Sequence, residues 1–118
     1  MDLTILKDYG INYEKGIARC MGDKDLYEQI LGLFLEDDCM ERAKAAFGRK
    51  DYPALFKCMH ELKGSSGNAE LTEIFEAVCP LVELLRHEGA SEEEIALQFR
   101  RAEGAYDRAR EGIVLARR

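Results

Sequence analysis

The sequence predicts an all-α fold, an up-down antiparallel four-helix bundle preceded by short additional helices at its N-terminus. Three observations carry that expectation. Apolar residues recur every three or four positions, and no stretch alternates strictly for long enough to form a strand. Only 2 prolines occur among the 118 residues, and Gly10, Gly16, Gly22, Gly48 and Gly89 fall between the periodic stretches. The breaks between the long periodic segments are short, which makes successive helices antiparallel neighbours.

Taken in order, a short helix is expected over about residues 2–8, then a turn at Gly10-Ile11-Asn12 and a second short helix from Tyr13 to Cys20. Asp23 then caps a long helix running to about Phe47, because its carboxylate can accept from the free N–H groups of the first turn. Its apolar residues are Leu26, Ile30, Leu33, Phe34, Met40, Ala43 and Phe47, and Gly48 ends it. Asp51 and Pro53 open the next helix, since proline is best tolerated in a first turn where its missing N–H costs nothing. That helix contains His60 and breaks near residues 67–70. Leu71, Ile74, Phe75, Val78, Leu81, Val82 and Leu85 mark the following one, which Pro80 should kink and which ends near Gly89. Ser91-Glu92-Glu93-Glu94 is a capping box, and behind it Ile95, Phe99, Ala102, Tyr106, Ala109 and Ile113 form one apolar face.

Residues 1–118 read as a single helical-bundle domain, since a chain of this length can bury roughly two thirds of the surface it exposes when unfolded. Its composition is 47% hydrophobic and 34% charged, in the ordinary globular range. No apolar run approaches the ~18 residues needed to span a bilayer, and Met1-Asp2-Leu3 begins no signal peptide, so the chain reads as cytoplasmic with no membrane partner. With 17 Lys and Arg against 23 Asp and Glu, the net charge is −6, which argues against nucleic acid as a partner. The arginines between Arg100 and Arg118 are interleaved with Glu103, Asp107 and Glu111, the pattern of a solvated helix face. Cys20, Cys39, Cys58 and Cys79 include no Cys-x-x-Cys pair and read as free, packed thiols.

Common enzyme motifs are missing. There is no phosphate-cradling Gly-x-x-x-x-Gly-Lys-Ser/Thr and no Gly-x-Ser-x-Gly, and Gly64 stands where a second histidine would complete His-Glu-x-x-His. The residues three before His60 and His87 are Lys57 and Leu84, so no di-iron Glu-x-x-His pair exists, and neither a metal nor another cofactor is expected on this chain. His87, at a helix end beside Gly89, is explained by the helix dipole, and Ser65 and Ser66 by packing.

His60 is different. At ~100° per residue, Leu55, Met59, Leu62, Ser66 and Ala69 fall within one narrow arc, and His60 points roughly 130° from its centre, toward solvent. Phe56, Lys63, Gly64 and Gly67 share its side of the helix. An exposed imidazole is mostly neutral at neutral pH and offers a lone pair without a separate base. Lys63, one turn on, can hold part of the charge of a phosphoryl group, and two glycines leave room for a partner to reach the ring. Each glycine costs a helix about 1 kcal/mol relative to alanine, so their presence beside a histidine fits a need for close approach. The arrangement suits phosphoryl transfer through a histidine.

His60-Glu61-Leu62-Lys63-Gly64-Ser65-Ser66-Gly67 closely resembles the phosphoacceptor signature of histidine-containing phosphotransfer (HPt) domains, His-x-Leu-Lys-Gly followed by small residues. Gly10-Ile11-Asn12-Tyr13-Glu14-Lys15-Gly16, Gly22-Asp23-Lys24-Asp25-Leu26-Tyr27 and Phe34-Leu35-Glu36-Asp37 resemble the opening helices of bacterial members, so the likeness covers nearly the whole chain. It implies a monomeric phosphocarrier of a multistep two-component phosphorelay, whose partners are response-regulator receiver domains and a histidine kinase, hybrid or not. The receiver would bring Mg²⁺ and the catalytic groups, so this chain is not itself an enzyme. His60 would be the phosphoacceptor, Lys63 the charge-stabilising residue, and Phe56, Lys57, Gly64 and Gly67 the docking surface. The other reading is a helical docking module or scaffold that binds a receiver without being phosphorylated. Family members commonly have glycine where this chain has Glu70, so the turn after the His60 helix is expected to be shaped differently here.

Overall fold

Side-chain caps start most of the helices where the sequence places them. The computed structural model describes residues 1–118 and contains seven helices and no strand. Helix α1 (Leu3–Lys7) begins at Asp2, whose carboxylate accepts from the Thr4 N–H. Helix α2 (Tyr13–Arg19) begins at Asn12, which accepts from Lys15, and α3 (Lys24–Glu36) at Asp23, which accepts from Leu26. Helix α4 spans Cys39–Gly48. Asp51 accepts from Ala54 to open α5 (Tyr52–Asn68), with Pro53 in its first turn. Helix α6 covers Thr72–Arg86, and Ser91 caps α7 (Glu92–Ala116) by accepting from Glu94.

The expected single helix from Asp23 to Phe47 is in fact two, α3 and α4. Asp37 adopts an extended backbone (φ −70°, ψ 136°), and its carboxylate accepts from the Cys39 N–H, offering the chain a local alternative to the helical ladder. Side chains of α7 hold the break open. Arg110 Nη1 donates to the Leu35 carbonyl at 2.8 Å, and the Tyr106 hydroxyl donates to the Asp37 carbonyl at 3.4 Å. Of the apolar residues on α3, Tyr27, Leu31 and Phe34 are buried, whereas Leu26 and Leu33 are exposed. Phe34, Met40, Ala43 and Phe47 do face the core, with Phe47 stacked on Phe99 at 4.5 Å between ring centroids.

Successive helices α4, α5, α6 and α7 pack side by side through connections at residues 49–51, 69–71 and 87–91, which gives the bundle its up-down order. Helix α1 lies against α7, and α2 against α3. The six apolar residues expected on the last helix are all buried in one cluster with the inward faces of α3 to α6. Pro80 lies within α6 without interrupting it; the residue is exposed, as is Glu76, whose carbonyl loses its helical donor to proline. All four cysteines are free. No helix is long and apolar enough to cross a membrane.

Candidate functional site

Helix α5 presents its two faces as the 100° arithmetic requires. Leu55, Met59, Leu62, Ser66 and Ala69 are buried, and His60 is exposed. The two glycines do not end the helix, which continues to Asn68. A β-carbon on Gly64 would meet nothing within 4 Å, so the approach to His60 from that side is open. At Gly67 the same atom would lie 3.2 Å from the Phe75 ring, so this glycine also seats an aromatic side chain of α6. The Phe56 ring sits 5.9 Å from the imidazole, centroid to centroid, and the Arg86 guanidinium lies 5.3 Å over it. Phe56 is half-buried and packs against the core.

His60, Lys63, Gly64 and Gly67 line one groove of about 510 Å³. Phe56 and Lys57 both lie outside that groove, and Lys57 is exposed. His87 is the C-terminal cap residue of α6 and is exposed. The groove also contains Lys15, Arg19, Glu70 and Phe75, none of which the sequence placed there. Lys15 and Arg19 are four residues apart on α2 and so share a face, a pairing visible in the sequence but without a target. Phe75, one of the apolar residues that mark α6 in the sequence, is 37% exposed. Glu70 gave the clearest signal, as the residue replacing a glycine.

The turn from α5 to α6 explains what Glu70 does. Its φ is +57°, in the left-handed region that glycine adopts without strain. Several hydrogen bonds enforce that shape: the Asn12 N–H donates to the Glu70 carbonyl at 3.0 Å, the Leu71 N–H to the Ser66 carbonyl at 2.9 Å, and the Tyr27 hydroxyl to the Ala69 carbonyl at 2.7 Å. Tyr27 reaches there because Gly16 leaves its ring room. Burial, reinforced by the nearby Glu70 charge, pushes the Tyr27 phenol well above its ordinary ionisation range, so it stays protonated and donating. The Glu70 side chain is itself buried. It accepts from Arg19 Nε at 2.6 Å and has Lys15 Nζ at 4.0 Å.

Chemically, the groove offers an accessible imidazole among cations, with a glycine beside it where a bulky side chain would obstruct a second protein. A family model of the Hpt domain matches residues 29–112, a span that begins within α3, ends within α7 and contains His60, Lys63, Gly64, Gly67 and Glu70. No curated protein and no solved structure matches the chain.

Proposed function

The chain belongs to the Hpt-domain family, and from that premise we propose that it carries a phosphoryl group on His60 in a multistep two-component phosphorelay. Members of the family are phosphocarrier modules of phosphorelays, not catalysts. The observation that carries the reading for this chain is the exposure of His60 in a groove shared with Lys63 and Gly64. A neutral ring nitrogen attacks the phosphorus of a receiver's aspartyl phosphate. The acyl phosphate P–O bond breaks, the aspartate leaves as carboxylate, and the imidazole N–H proton is released to solvent. Transfer onward to a second receiver reverses the step. Mg²⁺ and the catalytic groups come from the receiver. Lys63 supports the phosphoryl charge, Gly64 and Gly67 admit the receiver, and Phe56 and Lys57 extend the contact.

The test is phosphorylation by a phosphorylated receiver domain, with label scored as acid-labile and base-stable. His60→Gln should retain the helical fold, the site being exposed, and take up no label. Label on the Gln variant would show that the acceptor lies elsewhere. A relay whose output survives His60→Ala would instead make the chain a docking module.

A further inference from the structure

Three cations, Lys15, Arg19 and Lys63, and one carboxylate, Glu70, are the charged residues lining the groove beside His60. The groove therefore carries a net +2 on a chain whose net charge is −6. Two of the cations come from α2, which lies outside the matched Hpt span. Arg19 is fixed by one nitrogen only. Its Nε donates to Glu70 at 2.6 Å, and its terminal Nη atoms make no hydrogen bond within the chain although the side chain is half exposed. Glu70, in turn, is buried at the left-handed position that ends α5 (φ +57°), the conformation that Met21 and Lys50 also adopt after α2 and α4, but of the three only Glu70 is buried. The pair with Glu70 anchors the guanidinium at its base and leaves its two outer nitrogens without a partner in the chain.

We propose that Arg19, oriented by Glu70, binds the phosphoryl group carried on His60 and prolongs the life of the phosphorylated state. The inference rests on the carrier reading of His60 and goes beyond it. A phosphoryl group brings about −1.5 to −2 of charge at neutral pH, which the groove's net charge matches. Arginine is suited to it because its fork of donors meets phosphate oxygens in two parallel bonds while Nε remains engaged elsewhere. Arg19 is thus a binding residue and Glu70 the residue that positions it, and the effect of Arg19 on the phosphoryl group belongs to the phosphorylated protein alone.

The test uses the full chain with His87→Gln as parent, so that only one histidine can be labelled, and phosphoramidate as the donor. The His60 nitrogen attacks phosphorus, the P–N bond of the donor breaks, and ammonia leaves carrying the imidazole proton. The phosphorus resonance of the product is followed against pH, and its loss against time. A neighbouring guanidinium favours the more charged phosphoryl form. Arg19→Gln should therefore raise the titration midpoint by about half a unit or more and shorten the phosphohistidine half-life threefold or more. Arg19→Lys should recover part of both.

Removing Arg19 also uncovers the Glu70 charge, so the comparison is repeated with Glu70→Gln present throughout, which removes that charge but keeps a side-chain oxygen to accept from Arg19 Nε, and the same differences should persist. Identical midpoints and lifetimes with and without Arg19 in that background would overturn the proposal while leaving His60 as the acceptor. A parent that takes up no phosphoryl group on His60 would overturn the carrier reading, and this inference with it.

Discussion

The edge of the Phe75 ring on α6 lies 3.2 Å from the point where a β-carbon on Gly67 of α5 would sit. One turn earlier on the same helix, the corresponding point at Gly64 meets open space. Two glycines that sequence spacing treats alike therefore do different things. Gly64 faces open space, and Gly67 leaves room for a side chain of the protein itself.

That difference fixes the outcome of two alanine substitutions. Inside a helix, glycine is less favourable than alanine by roughly 0.5–1 kcal/mol. Gly64→Ala should stabilise the chain by about that amount, because its methyl group meets nothing. Gly67→Ala should gain less or lose, since Phe75 must yield by a few tenths of an ångström. Urea denaturation of both variants reads the contrast. Equal stabilisation would mean that Phe75 does not rest against α5 in solution.

Lys63 gives a prediction in which stability and transfer separate. Its ammonium makes no ion pair within the chain, so Lys63→Ala should leave the unfolding midpoint almost unchanged. On the proposed carrier role, a receiver docked over His60 would exclude water, and the same charge would then stabilise the transferring phosphoryl group more strongly. A contribution of ~1.4 kcal/mol to the transition state corresponds to a tenfold fall in transfer rate. Rapid-quench measurement of transfer from a phosphorylated receiver checks it; a rate within twofold of the parent would remove Lys63 from the phosphoryl site.

How much of this was legible in the sequence depends on whether the determinant was local. The direction of His60 follows from α5 alone, and the caps at Asp23, Asp51 and Ser91 from neighbouring residues. The break between α3 and α4 does not, because Tyr106 and Arg110 that hold its carbonyls lie far along the chain on α7. On α3 two apolar stripes run side by side, Leu26-Ile30-Leu33 and Tyr27-Leu31-Phe34, and only the packed structure shows that the second is the buried one. Glu70 could be singled out as unusual, but its partner Arg19 is 51 positions away, so the charged half of the groove stayed hidden.

The buried thiol of Cys39 gives the fold a definite response to alkali. Its Sγ–H donates to the Cys58 carbonyl at 3.2 Å. Burial first, and the negative charge of Glu61 next, push its pKa from the ordinary 9.0 up to about 12. The native state therefore keeps a proton that the unfolded chain releases, and stability falls with rising pH wherever the unfolded state binds fewer protons. This contribution is whole below pH 9.0 and is lost progressively as pH rises toward about 12. Tyr27, whose ordinary value is 10.0, adds a second loss beginning at higher pH. Cys39→Ala should show a shallower decline in unfolding free energy across that window than the parent. Superimposable pH profiles would mean that the thiol is not buried as described.

The turn at Glu70 can be tested apart from any phosphoryl chemistry, because its backbone and its side chain pull in opposite directions. At φ +57° a residue with a β-carbon is strained by roughly 1–2 kcal/mol, which glycine would relieve at a cost of about 0.5–1 kcal/mol in unfolded-state entropy. The carboxylate, in return, pairs with Arg19 at 2.6 Å while only 8% exposed. Glu70→Ala keeps the strain and loses the pair, so it should be less stable than the parent by about 1 kcal/mol or more. Glu70→Gly loses the pair and sheds the strain, and should lie close to the parent and above the alanine variant. Urea unfolding of the three chains gives the order directly. An alanine variant as stable as the glycine one would show that the turn is not left-handed at this residue, and Glu70 would then no longer be held where it anchors Arg19.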